Sequence, residues 1–548
     1  MCGIWTYIQL CSKKLDYQQL FNNFINIKHR GPDMSSFNIY NNVIIGFHRL
    51  GIMEPAIYSN QPYIIKNGNK TIVFICNGEI YNFKHLNITY NLNIVGNTDC
   101  MVIPQLYINL NYKDFCNMFQ DEIKGEFSFI LFEFNEDQKL SNLVVGRDQI
   151  GIRPLYYNEN FDNELAFSSE LKGLDFYKGK ISEFPPGMII SYNLEKNKIE
   201  NYYDFKNVYQ TIAQYNTTFV DYEQDKFLHD IRLSVTNSIS RRLEADRPIA
   251  FLLSGGVDSS LVAGIATKLL NKQINTYCCG MNEGTDLLYA RKVAKYIKSN
   301  HTEVLFTAQE GLDAIRDVIL TTETWDTTTI RASIGQYLVC KYIGNTNAKV
   351  VMVGEGPDEV CSSYLFNYNA PSGKDLHTTA LEYVDKIHLY DGRRADRCIS
   401  RWGLEGRIAL LDPEFIKSYW SVPSEMRHPK YKGIEKWWLR KAFENTNTIP
   451  DEVLWRKKEA FSDGISSKEK SWFEILQDYI KTQVTEEEWK SSNIEAPTLE
   501  AYYYKKIFIE LFGTKRLDVL PNYWQPKWVN NNGQYIDPSA RVLNVYSQ

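Results

Sequence analysis

The chain has 548 residues and a formal net charge of −5, from 61 Lys and Arg against 66 Asp and Glu. That length exceeds one ordinary domain and suits two or three, while the mildly acidic balance argues against a nucleic-acid surface as its main business. Hydrophobic residues at 44% and charged residues at 23% are those of a soluble globular protein, and no apolar run is long enough to cross a membrane.

The ten cysteines are scattered, with no C-x-x-C pair and no Cys/His ligand spacing. Free thiols and no structural zinc are therefore expected. Polar residues enter by Ser12, Lys13 and Lys14, which argues against a signal peptide and for a reducing, cytoplasmic setting.

The chain opens Met1-Cys2-Gly3-Ile4-Trp5. A small residue at position 2 lets an aminopeptidase remove Met1, which would leave Cys2 with a thiol and a free α-amine on one carbon. That amine has an ordinary pKa near 8, low enough to serve as the thiol's own base at neutral pH. Downstream come His29-Arg30-Gly31-Pro32-Asp33, His48-Arg49-Leu50-Gly51-Ile52-Met53, Gln61-Pro62, Cys76-Asn77-Gly78-Glu79-Ile80-Tyr81-Asn82 and Gly96-Asn97-Thr98-Asp99-Cys100. With Cys2 in front, this order resembles the glutaminase domain of class II (N-terminal nucleophile) amidotransferases.

The residue types suit glutamine. Arg49 can take its α-carboxylate as a bidentate fork, and Asp99 and Glu79 can take its ammonium. Asn77 and the Gly78 N–H can hold the oxyanion formed when Cys2 attacks the side-chain amide. Taken singly, Asn-Gly is also a common turn, and a lone Arg or Asp is usually a solvated charge. The resemblance implies the same roles and adds Leu50, Gly51, Ile52 and Met53 to the glutamine site. Residues 72–75, 127–132 and 143–146 read as strands. The resemblance implies an Ntn-hydrolase αββα sandwich, two sheets between two helical layers, over residues 2–205. Between Tyr202 and Gln224 no periodicity is clear.

From about Asp225 helix and strand alternate, the pattern of a parallel α/β sheet. The apolar run Ile249 to Leu253 reads as a buried strand, followed by Ser254-Gly255-Gly256-Val257-Asp258-Ser259-Ser260 and a helix whose inner face is Leu261, Val262, Ile265, Ala266, Leu269 and Leu270. A strand turning through Ser and two Gly into a helix makes an anion site, and Asp258 is suited to hold Mg²⁺ against bound phosphates. No Lys follows the glycines, so this is not a Walker A loop. Further strands are expected at 274–280, 303–306 and 349–353, with a helix at 287–297. The last strand ends in Gly354-Glu355-Gly356-Pro357-Asp358-Glu359. Ligands sit at the carboxyl ends of such strands, so the 254–260 and 354–359 loops are expected to face one site.

SGGVDSS resembles the pyrophosphate loop of enzymes that form acyl-adenylates. With Glu323 to Ser333, GEGPDE, Arg394-Ala395-Asp396, residues 454–464 and Asp537-Pro538-Ser539-Ala540-Arg541, the chain resembles the glutamine-hydrolysing asparagine synthetases along nearly its whole length. The resemblance implies a carbon–nitrogen ligase that adenylates the aspartate side chain with ATP and Mg²⁺ and delivers ammonia from Cys2 through an internal tunnel, with residues 225–548 as the synthetase domain. It places ATP against Leu252, Ser254, Gly255, Gly256, Asp258, Ser259, Cys279, Val353 and Gly354, metal on Asp258 and Asp358, and catalysis on Glu355 and Lys458. Arg331 and Arg394 become candidates for a substrate carboxylate or phosphate. L-aspartate, L-glutamine and ATP are the implied partners, with no nucleic acid or membrane, and a homodimer is left open. Pro357, Cys361 to Ser363, Ala409, Val353 and Cys279 depart from the family's usual text. A synthetase of the same fold with another carboxylate acceptor, such as a β-lactam synthetase, and a weakly active regulatory or binding homologue are the rival readings. The first would be expected to lack Cys2.

Overall fold

The computed structural model describes the chain except for residues 13, 95, 159–162, 207–220, 283, 459–463, 467–469, 521–522, 530–536 and 538–548. Most of the predicted connecting stretch, the second half of the 454–464 motif and all but Asp537 of the tail motif lie outside the described residues. Among the described residues there are two six-stranded sheets and one five-stranded sheet, and no helix is long and apolar enough to cross a membrane.

The first sheet comprises β1 (Gly3–Gln9), β2 (Met34–Tyr40), β3 (Val43–Arg49), β8 (Tyr156–Asn158), β9 (Glu164–Ser168) and β10 (Ile181–Glu183), in the order β10-β8-β9-β1-β3-β2. The second comprises β4 (Tyr63–Asn67), β5 (Lys70–Ile80), β6 (Gly125–Phe134), β7 (Leu140–Arg147), β11 (Met188–Asn193) and β12 (Lys198–Asp204), in the order β12-β11-β7-β6-β5-β4. Side chains alternate across each strand. Ile4 and Ile8 therefore pack between the sheets with Ile45, Phe47, Ile75, Ile130 and Phe132, while Trp5 packs outward against Phe24 of helix α1 (Tyr17–Ile25). On the far side, α2 (Phe83–Thr89), α3 (Val102–Asn109) and α4 (Tyr112–Asp121) cover Phe74 and Phe129 with Leu106, Phe115 and Phe119. Each such fully buried side chain contributes roughly 1.5–3 kcal/mol. The four layers are the predicted sandwich.

Asn77-Gly78, by composition a turn, lies inside β5, paired with Ser128 and Phe127 of β6. A Cβ at Gly78 would fall 2.3 Å from the Glu126 carbonyl oxygen. The glycine thus serves close strand approach rather than chain reversal.

After α5 (Asp221–Arg241), strands β13 (Ile249–Leu252), β14 (Asn275–Gly280), β15 (Asn300–Leu305), β16 (Val350–Val353) and β17 (Glu405–Ile408) form a parallel sheet in the order β15-β14-β13-β16-β17. β17 escaped the sequence reading because Glu405, Gly406 and Arg407 give it almost no apolar signature. Helix α6 (Val257–Leu270) buries Leu261, Val262, Ile265 and Ala266 as predicted and packs Leu270 against the same core, but Leu269 is 43% exposed. Helix α7 spans Thr285–Ile297. The N-terminal half docks at the amino ends of β16 and β17, where the Met1 amine donates to the Leu404 carbonyl and Arg153 Nη1 to the Gly406 carbonyl.

Candidate active sites

The first site forms where β1 starts beside the end of β3 and the middle of β5. Cys2 Sγ lies 3.5 Å from the Leu50 N–H, and the Cys2 backbone N–H donates to Asn77 Oδ1 at 2.9 Å. That bond turns the Asn77 amide so that Nδ2, fully buried, has no hydrogen-bond partner. A buried donor without a partner is costly. Burial pushes the Cys2 thiol up to about 11, so the thiol is neutral at pH 7 and needs a base. Met1 is 1% exposed in this structure, and burial lowers its amine to about 6.

Glu79 and Asp99 are both buried. Burial, reinforced by Asp99, raises the Glu79 carboxyl well above its ordinary range. Burial pushes Asp99 up to about 6 against the Ile80 N–H that it accepts at 2.8 Å. Two adjoining carboxyls raised in this way form a place that a cation would relax. The Arg49 fork, by contrast, is occupied. Nη1 donates to the Ala56 carbonyl at 2.8 Å and Asn60 Oδ1 at 2.6 Å, and Nη2 to the Glu54 carbonyl at 2.6 Å and the Met53 carbonyl at 3.3 Å. Arg49 shapes the loop of Leu50, Gly51, Ile52 and Met53, and a ligand carboxylate would have to displace these carbonyls.

The second site is a cleft of about 1110 Å³, partly open to solvent, at the carboxyl ends of β13, β14 and β16. Leu252, Ser254, Gly256, Asp258, Ser259, Cys279, Gly354, Glu355, Asp358, Arg394 and Lys458 all line it, so the two predicted loops do face one space. Ser259 Oγ ties the turn by accepting from the Ser254 N–H at 3.1 Å. Gly255 and Val353 support the cleft from behind. Gly255 has φ +74°, and a Cβ there would lie 2.5 Å from the Ala290 nitrogen; Val353 is fully buried.

Lys436, which carries no motif and which the sequence reading missed, is central here. Its ammonium sits 2.5 Å from Asp258 Oδ2 and 2.6 Å from Asp358 Oδ1, and Lys458 is 2.5 Å from Asp358 Oδ2. Burial alone would raise Asp358, but two ammonium groups hold it well below the usual carboxylate range. Asp258 has one ammonium, and burial keeps it raised. Its Oδ1 is buried without a hydrogen-bond partner. Among the described residues no group of three or more His, Cys, Asp and Glu is placed to hold a metal. Even so, an unpaired carboxylate oxygen beside a second carboxylate fits a phosphate-bound Mg²⁺.

Glu355 accepts from Gln336 Nε2 at 3.0 Å and lies 3.7 Å from Arg394 Nη2; burial raises its carboxyl, against Arg394. Pro357 opens the helix Pro357–Val360 at its first turn, where a missing N–H costs nothing. Arg331 is not brought to the cleft. It is 3% exposed, and its fork is shared between Glu500 at 2.6 and 2.9 Å and Asp537 at 2.8 and 2.9 Å. It anchors the chain's tail, a role hidden in the sequence because its partners lie 169 and 206 residues away.

The Asparagine synthase family profile matches residues 230–385 and 370–534, and the Glutamine amidotransferase domain profile matches residues 1–219. The chain is 39% identical over 578 aligned residues to an "Asparagine synthetase [glutamine-hydrolyzing]" of Cricetulus griseus. It is 38% identical over 575 to the one of Homo sapiens and 39% over 578 to the one of Gallus gallus. Each alignment covers 100% of this chain and 99% of the relative.

Proposed function

Because the chain belongs to the glutamine-hydrolysing asparagine synthetase family, we propose that its two clefts carry one reaction in two stages. It converts L-aspartate, L-glutamine and ATP into L-asparagine, L-glutamate, AMP and pyrophosphate. Residues 2–205 act as glutaminase and residues 225–548 as synthetase. The ten free thiols suit a reducing cytoplasm.

The observation that carries the glutaminase reading is Asn77. Its Oδ1 accepts from the Cys2 nitrogen, and its buried Nδ2 is left without a partner. With Met1 removed, that nitrogen becomes the amine that takes the thiol proton. The thiolate attacks the glutamine amide carbon, Asn77 Nδ2 and the Gly78 N–H hold the oxyanion, and ammonia leaves with the proton. Water then hydrolyses the thioester to glutamate. Glu79 and Asp99 take the substrate's ammonium, and Arg49 its carboxylate.

In the second cleft the aspartate β-carboxylate attacks the α-phosphorus of ATP, and pyrophosphate leaves. Ser254, the glycine turn and Ser259 cradle the phosphates, and Lys458 and Lys436 balance their charge. Asp258 and Asp358 would hold Mg²⁺, which when bound supplies further positive charge against the departing pyrophosphate. Ammonia attacks the acyl-adenylate and AMP leaves, with Glu355 taking the surplus proton. Arg394, 3.2 Å from Asp391, orients the aspartate. Cys2 abuts the amino ends of the sheet's strands and the ATP cleft lies at their carboxyl ends, which supports transfer of ammonia through the interior.

Cys2→Ala tests this. It is expected to abolish glutamine-dependent asparagine formation and retain synthesis from added ammonia. Loss of both would overturn the two-site reading. Intact mass tests the α-amine, since retained Met1 leaves no such base.

A further inference from the structure

The turn between α5 and β13, residues 242–247, belongs by sequence to the synthetase half, yet it grips the glutamine loop. The Asp246 N–H donates to the Ile52 carbonyl at 3.2 Å, and the Glu54 N–H donates to Asp246 Oδ2 at 2.8 Å. Arg247 Nε donates to the Gly51 carbonyl at 3.0 Å. Ala245 packs on the cluster that contains Leu50, Ile52 and Met53. The turn is fixed in its own right, since Arg407 Nη1 donates to the carbonyls of Arg242 at 2.8 Å and Glu244 at 2.6 Å, while its Nη2 lies 3.5 Å from Glu79.

The gripped loop needs such support. Glu54 has φ +43°, a left-handed conformation that a side-chain-bearing residue keeps only where its surroundings over-determine it. Three contacts do so: Asp246 on its N–H, Arg49 on its carbonyl, and the Asn97 N–H on its Oε2 at 3.1 Å. The same loop presents the Leu50 N–H to Cys2 Sγ. Release of Glu54 would therefore move backbone that touches the nucleophile and let the Arg49 guanidinium drift from the position that these carbonyls fix.

We propose that Asp246 and Arg247 are positioning residues of the glutamine site, supplied across the domain boundary by the synthetase half. They touch no reacting atom and act through loop 50–54. The proposal rests on the glutaminase reading of Cys2, so the test separates the two.

Full-length Asp246→Ala, Asp246→Asn and Arg247→Ala are compared with the parent in glutamine hydrolysis and in ammonia-dependent synthesis. Loss of a hydrogen bond of this kind is expected to raise the glutamine KM roughly five- to tenfold in Asp246→Ala and Arg247→Ala, with kcat changed less than twofold. Asn offers an acceptor oxygen at the same place, so Asp246→Asn is expected to return KM to within about twofold of the parent. Retained ammonia-dependent synthesis shows that the variants fold. Faster hydrogen exchange at residues 50–54 in Asp246→Ala, and not in Asp246→Asn, is the second readout. An unchanged KM and unchanged exchange in both Ala variants would overturn the proposal. A parent protein with no glutaminase activity would instead overturn the reading of Cys2. Equal loss in Asp246→Ala and Asp246→Asn would show that Asp246 does not act as a hydrogen-bond acceptor and would also overturn it.

Discussion

Asp99 shows how burial brings an ordinary carboxylate into a range where it titrates near neutral pH; under the proposed glutaminase reading it holds the substrate's ammonium. Its pKa is pushed up to about 6 because its charge is taken out of water, and the Ile80 N–H offsets only part of that. A group that must be ionised to hold an ammonium fails as pH falls through its own pKa. The glutamine KM is therefore expected to rise about tenfold per pH unit below about 6, with ammonia-dependent synthesis, compared at constant free NH3, lacking that limb. Asp99→Asn is expected to remove the limb along with most glutamine binding. Parallel pH profiles for both activities check this. Asn77, Asp99 and Cys2 stood out in the sequence because the proposed chemistry requires those atom types. The occupied Arg49 fork and Lys436 were not, since what an Arg or Lys touches depends on residues far along the chain.

Two loops line the cleft proposed to bind ATP, and their fit depends on glycine. A Cβ at Gly354 would lie 2.7 Å from the Ser259 nitrogen and 2.9 Å from its Cα, so Gly354→Ala forces the loops apart. Overpacking of that kind costs roughly 1–3 kcal/mol. The variant is expected to lose most pyrophosphate release while Cys2 still hydrolyses glutamine, a split that parallel assays read directly. Four of the five strands of the parallel sheet were expected from the sequence. β17 was not, because a buried edge strand that carries Glu405 and Arg407 satisfies its charges by pairing them at 2.8 Å rather than by avoiding them. The exposed Leu269 is the converse: helical spacing marks a face, and which residues at the margin of that face are covered is set by its neighbours.

The two halves are held together by buried charge. Arg30, fully buried, reaches Asp396 at 2.8 and 3.0 Å and Glu170 at 2.8 Å. Burial opposes the Asp396 charge, but Arg30 and Arg397 hold its carboxyl below the ordinary value. Its contribution to stability is therefore present above the unfolded carboxyl pKa of about 4 and lost as pH falls below it. Arg30→Ala leaves that carboxylate under-compensated at a cost of about 3 kcal/mol. Denaturant unfolding at pH 7 is expected to show the shift, and the difference from the parent is expected to shrink toward pH 3.

The order of short motifs along the chain determined the reaction class, because a nucleophile with its amine, a cradle for phosphates and carboxylates for a cation each demand particular residues at close spacing. The parallel sheet followed from the alternation of helix and strand signatures, and the sandwich from the family resemblance of the N-terminal motifs. The tertiary structure alone decided that Arg331 pairs with Glu500 and Asp537, that Lys436 bridges the two aspartates, and that residues 246–247 hold the loop 50–54. Those are contacts between segments hundreds of residues apart in places, and no local spacing in a sequence encodes which distant partner a charge or a backbone group will meet.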